Sequence, residues 1–154
     1  MTTYATIQVA PATPSRDKSR SRYAVTAARI ALGGVFSVFG TIGMLSVAGI
    51  IPVSQPSTPP PAGAAAFTAA MMATGYIFQL VKATEMVVGA LLLSNRFVPL
   101  ALALIAPVVV NIVAFHAFLA PSGVPVALVV LALEVYLAWS YRRTYAGMLL
   151  GRSL

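Results

Sequence analysis

The sequence predicts an all-α fold: an integral membrane four-helix bundle with both termini on the cytoplasmic side. Three observations predict it. Hydrophobic residues make up 59% of the chain and charged residues 8%, with a mean hydropathy of +0.89; a soluble chain carries roughly 25% charge. Four apolar runs, about Tyr23–Ile51, Ala64–Leu93, Phe97–Leu119 and Val124–Tyr141, each reach the roughly 17–25 residues that a spanning helix needs. Nine of the ten Lys and Arg fall on one side of such a threading, the bias that sets topology in membranes. An ordinary cytosolic enzyme and a collagen-like chain are excluded by the same arithmetic.

Residues 1–22 form a basic arm with Arg16, Lys18, Arg20 and Arg22. It lacks apolar periodicity, so little fixed structure is expected of it alone; its cations suit a partner or anionic lipid. The net charge of +7 is read as topology rather than as nucleic-acid binding, because the cations are sorted by loop. The first apolar run follows about twenty-two polar residues and exceeds a signal-peptide core. It therefore reads as a signal anchor, although Ser46-Val47-Ala48 has cleavage-like small residues.

Runs this apolar without alternation are helices, since barrel strands alternate. The first two runs are longer than a span requires, and tilt would absorb the excess. The segment from Pro52 to Ala62 contains five prolines and reads as a stiff extended loop. Ser94-Asn95-Arg96 is a tight turn, as is Pro121-Ser122-Gly123, where Ser122 is a candidate cap and Pro125 an early helical residue. Residues 23–145 thus form the transmembrane domain and 146–154 a cytoplasmic tail. Arg16, Lys18, Arg20, Arg22, Arg29, Arg96, Arg142, Arg143 and Arg152 lie inside by this threading, and only Lys82 lies within a span.

Small residues mark packing faces: Gly33, Ser37 and Gly40 lie on one stripe of the first helix, and Gly75 and Gly89 share a stripe of the second with Gln79, Lys82 and Met86. Pro107 interrupts the third helix and frees the Ala103 carbonyl, with Asn111 one turn later on the same face. Tyr23, Phe97, Trp139, Tyr141 and Tyr145 are placed near the inner interface, and Phe115 and Phe118 near the outer one.

The candidate site is an intramembrane polar cluster: Gln79, Lys82, Glu85, Asn111 and Glu134, with His116 at the outer interface. A charge at the bilayer centre costs about 2.5–3.5 kcal/mol even on the mild insertion scale, so such residues face inward and find partners. At about 1.5 Å per residue, Glu134 lies about 12 Å from the cytoplasmic end, Glu85 about 13 Å, Lys82 about 18 Å, Asn111 about 21 Å and His116 about 28 Å. Lys82 and Glu85, three apart, can pair. Glu134 then leaves a surplus negative charge, removed either by protonation or by Lys82 lying between both acids. The alternative to a ligand or proton site is a structural polar lock between the second and fourth helices. One His and no Cys leave no metal set, no disulfide and no thiol relay. Haem lacks a second axial ligand beyond the methionines. No P-loop, G-x-G-x-x-G, H-E-x-x-H or G-x-S-x-G occurs, so no catalysis is assigned to the chain itself.

Several segments together resemble the DoxX and DoxX-like membrane proteins over about Arg29–Tyr145. They are Ala73-Thr74-Gly75-Tyr76, Lys82-x-x-Glu85-x-x-x-Gly89-x-Leu91-Leu92-Leu93, Asn95-Arg96-Phe97-Val98-Pro99-Leu100-Ala101-Leu102, Ala106-Pro107-Val108-Val109-Val110-Asn111 and Phe115-His116. The chain departs from many of these proteins at Ile42, which stands before Gly43 where they have Asn, and in having no His shortly after. The resemblance implies a four-helix bundle in the cytoplasmic membrane, with Lys82, Glu85, Asn111 and His116 at the family's polar positions. It also implies association with thiosulfate:quinone oxidoreductase or other membrane oxidoreductase complexes, and hence a quinone as non-covalent cofactor, the bilayer and other redox subunits as partners, and no nucleic acid. At most, then, the chain is a subunit of an oxidoreductase complex. Two other readings stay open: a non-catalytic structural subunit of a larger complex, and a small-molecule or proton carrier, which four helices could build only as a homo-oligomer.

Overall fold

The computed structural model describes residues 16–52 and 59–149. Among these residues the fold is entirely helical. Helix α1 spans Arg16–Val47, α2 Ala62–Ala73, α3 Ile77–Leu93, α4 Val98–Phe118, α5 Val124–Ser140 and α6 Arg142–Leu149, with a 3-10 turn at Pro121–Gly123. Three helices are long and apolar enough to cross a membrane, or four if the bent pair α2 and α3 is one span.

Helix α1 reaches further into the basic arm than the sequence suggested, since it starts at Arg16. Lys and Arg are good helix formers, and extending an existing helix avoids the cost of a new nucleus. Residues 1–15, and the side chains of Arg16, Lys18 and Arg20, lie outside the described residues. Helix α1 stops at Val47, short of Ile51, because Gly49 adopts φ +69. The Gly49 and Ile50 amides donate to the Ser46 and Leu45 carbonyls, which closes the helix end in a Schellman motif.

The second apolar run is not one helix. It breaks at Thr74-Gly75-Tyr76, and α2 and α3 meet at 92°. Gly75 takes φ +76, which a residue with a Cβ adopts only at a cost. The Thr74 hydroxyl donates to the Met71 carbonyl at 2.7 Å and accepts from the Ile77 amide at 3.1 Å, so one side chain ends α2 and starts α3. The excess length is thus absorbed by a corner instead of tilt.

The α3–α4 connection is a tight turn, as its sequence indicates. Asn95 and Phe97 occupy the left-handed region at φ 57 and φ 52. The Asn95 and Arg96 amides cap the Leu92 and Leu91 carbonyls. Ser122 is not a cap: it lies inside the 3-10 turn and makes no capping hydrogen bond. Pro125 sits in the first turn of α5. Residues assigned to the tail continue as α6, anchored where the Tyr145 hydroxyl donates to the Pro99 carbonyl at 2.7 Å.

Helix α1 packs on α3, α3 on α4, α4 on α5 and α5 back on α1. The hydrophobic core is built from Leu32 and Phe36 of α1, Val88 and Leu92 of α3, Leu102, Ile105 and Val109 of α4, and Leu137 of α5. The α1–α3 pair is antiparallel and close. A Cβ at Gly33 would stand 3.0 Å from the Leu92 Cβ, one at Gly89 2.5 Å from the Ser37 amide nitrogen, and one at Gly40 2.6 Å from the Met86 amide nitrogen. The small residues of both helices therefore set the interaxial distance. The outer surface is also apolar, with Val110, Phe39, Val129 and Phe118 exposed. A water-facing protein rarely tolerates such a contiguous surface, and lipid removes the penalty.

Candidate functional site

Lys82 and Glu85 form an ion pair on α3, Nζ to Oε2, at 2.8 Å. It is the only ion pair among the described residues. Glu85 is buried at 4% exposure, which demands a partner at this depth. The position of Lys82 is prepared by α1: a Cβ at Gly43 would stand 2.8 Å from the Lys82 Cγ. Phe78, one turn away, places its ring 5.6 Å from the Lys82 Nζ, a cation–π distance.

Two cavities meet at this pair. The first, of about 130 Å³, lies between α2, α3 and α4 and is lined by Phe67, Met71, Phe78 and Phe115 as well as by Lys82, Glu85, Asn111 and His116. The second, of about 250 Å³, lies between α1, α3, α4 and α5 against Phe36, Phe39, Val126 and Val130. Lys82, Glu85, Ile112 and His116 line both, so the polar groups stand in a shared wall between apolar chambers.

His116 belongs to this site, although depth alone put it at the outer interface. Its Nδ1 lies 3.2 Å from the Ala120 carbonyl. A carbonyl only accepts, so Nδ1 carries the proton and Nε2 is left as an acceptor in the neutral ring. The ring stands edge-on to Phe115 at 5.3 Å. Gly123 lies against it, and a Cβ there would collide with Nδ1. The corner after α2 matters here too, because it carries Phe67 and Met71 over the first cavity.

Other predicted members are placed differently. Asn111 is exposed at the rim of the first cavity and makes no side-chain hydrogen bond among the described residues. It therefore does not close the gap left by Pro107. Gln79 is half-buried, and its Oε1 is sealed from solvent with no partner among the described residues. Glu134 is buried at 7% exposure on α5, with neither ion pair nor hydrogen bond among the described residues. Val130, one turn before it, lines the second cavity, but Glu134 lines neither. Equal depth does not bring Glu134 to Lys82, because depth fixes height along the bundle and not the face that a residue occupies. No contact of a polar lock between α3 and α5 is present among the described residues.

By sequence Arg29 counts only among the cations of the arm and first turn, and the structure buries it at 8% exposure. It donates through Nη1 to the Leu92 carbonyl and to the Leu93 carbonyl at 3.3 Å. A cation at a helix C-terminus offsets the macrodipole, by up to about 2 kcal/mol where partly buried. The available signal was position: Arg29 lies inside the apolar run that starts at Tyr23.

No protein-family model matches the chain, and no curated protein or solved structure matches it.

Proposed function

We propose that the chain is a DoxX-like subunit of a membrane-bound redox system. In this reading it forms a four-helix bundle in the cytoplasmic membrane with both termini cytoplasmic, and Lys82, Glu85 and His116 receive the polar head of a quinone-class ligand. The observation that carries the reading is the polar wall shared by two apolar cavities. A dry cavity of about 150 Å³ takes up one benzene-sized ring, and the first cavity, at about 130 Å³ with three phenylalanines, is of that order. Lys82 would donate to a ligand carbonyl, Glu85 would hold the ammonium in place, and the unprotonated Nε2 of His116 would accept from a ligand hydroxyl. A bound quinone supplies the electron-accepting ring; the electrons would come from partner subunits.

Equilibrium binding of a short-chain quinone analogue to the purified chain tests this. Lys82→Met, Glu85→Gln and His116→Ala are each expected to weaken binding about tenfold, the scale of one charge-assisted hydrogen bond. No binding by the wild type, or unchanged affinity in all three variants, defeats the proposal. The second reading, a non-catalytic structural subunit, is favoured by one observation: Lys82 and Glu85 neutralise each other within one helix. Under it the double variant Lys82→Met/Glu85→Leu assembles with its partners at full stoichiometry and leaves quinone-linked turnover unchanged.

A further inference from the structure

A third cavity, of about 400 Å³, lies at the opposite end of the bundle from His116, where the N-terminal part of α1, the α3–α4 turn and the end of α5 converge. Its lining includes Ser21, Arg22, Thr26, Arg29, Asn95 and Ser140, so it offers two guanidinium groups, an amide and hydroxyls, of which that of Ser140 already donates to the Tyr136 carbonyl. Among the described residues no carboxylate lines it. Glu134, six residues before Ser140 on α5, is about 9 Å away along the helix axis. Arg29 uses only Nη1 on the α3 carbonyls, and a guanidinium has five N–H donors. Those on Nε and Nη2 have no protein acceptor among the described residues, and they are not sealed, since the only sealed orphan atom there is the Gln79 Oε1. Tyr23, Phe97 and Trp139 are exposed at this same end, an aromatic belt of the kind that sits at headgroup level.

We propose that this cavity is a binding site for a phosphate-ester anion, placed to hold the headgroup of an anionic phospholipid. Two arginines attract the charge, Arg22 from the rim and Arg29 from the floor. The hydroxyls of Ser21 and Thr26 add neutral donors, and planar guanidinium groups suit phosphate oxygens in a bidentate fashion. Basic pockets between helices at the membrane surface bind such headgroups. Because Arg29 also caps α3, occupancy of the site ties lipid binding to the packing of α1 on α3.

Native mass spectrometry of the full chain in detergent, titrated separately with phosphatidylglycerol, phosphatidylcholine and inorganic phosphate, tests the site. Phosphatidylglycerol is expected to bind at one site and more tightly than phosphatidylcholine. Arg22→Gln removes a ligand without touching the α3 cap, and Ser140→Phe fills the cavity without changing charge. Each is expected to weaken phosphatidylglycerol about tenfold with thermal unfolding unchanged. Displacement of the lipid by millimolar inorganic phosphate supports the site with free phosphate as a second source; no displacement supports a lipid-borne phosphate alone. Equal binding of the two lipids, or wild-type phosphatidylglycerol affinity in both variants, overturns the proposal.

Discussion

A methyl group separates two fates on the same helix. At Gly40 an added Cβ meets the Met86 amide nitrogen at 2.6 Å and the Lys82 carbonyl oxygen at 3.0 Å. Both are backbone, so α1 and α3 must part. Gly40→Ala is therefore expected to destabilise the chain by about 1–3 kcal/mol, the scale of an overpacked core. At Gly34 an added Cβ meets nothing within 4 Å. There the helix gains the roughly 0.5–1 kcal/mol by which Ala outperforms Gly in a helix interior. Thermal unfolding in one detergent should move in opposite directions for the two variants; equal midpoints would remove the close approach as a determinant of stability. The stripe of Gly33, Ser37 and Gly40 was legible in the sequence because helical spacing alone puts those residues on one face. The Lys82–Glu85 pair was legible for the same reason, being local. The burial of Arg29 was not. A tally of cations by loop treats every arginine near a span end alike, and the carbonyls that Arg29 meets belong to a helix more than sixty residues away.

The elements depend on corners as much as on spans. The run from Ala64 to Leu93 reads as one helix, because a single Gly in an apolar helical pattern is tolerated and Thr74 is unremarkable in a membrane segment. The corner shows only when the Thr74 hydroxyl reaches both flanking helices and Gly75 turns left-handed. Gly75→Ala keeps the hydroxyl and strains the backbone, so it is expected to cost about 1–2 kcal/mol. Unfolding of the variant at the wild-type temperature would show that the corner does not need the left-handed residue. Among the described residues helix α6 makes one long-range side-chain hydrogen bond, from the Tyr145 hydroxyl to the Pro99 carbonyl. Desolvation by burial, and secondarily the carboxylate of Glu134, raise the phenol above its usual value of 10.0. The tie is thus fully present below the unfolded-state value and is lost as pH rises through the higher folded-state value, where the phenolate can no longer donate. Tyr145→Phe should release α6 at every pH, with a loss of about 0.5–1.5 kcal/mol. Amide hydrogen exchange across α6 should show faster exchange in the variant at neutral pH, and no difference would exclude the bond as the anchor.

At the scale of the whole molecule the open quantity is the number of crossings. Helix α3 has 17 residues, a rise of about 25 Å against a hydrocarbon thickness of about 30 Å, and it runs antiparallel to α1 along the close glycine contacts. A helix that shares the length of α1 in this way should share its crossing, which leaves α2, turned by 92°, to lie across the far end of the bundle. Four crossings then place Ala62 and Ser122 on one side and Ser94 on the other. A three-crossing chain, in which α2 and α3 dip in and return, would place Ala62 with Ser94 instead. The chain has no cysteine, and Ala62, Ser94 and Ser122 are all exposed, so a single cysteine at each gives an unambiguous label. With an impermeant maleimide applied to intact cells, Ala62→Cys and Ser122→Cys are expected to react at once and Ser94→Cys only after permeabilisation. Labelling of Ala62→Cys in step with Ser94→Cys would reduce the crossings to three. Labelling of Ser94→Cys alone in intact cells would invert the whole topology, and the arginine-lined cavity would then face the outer surface.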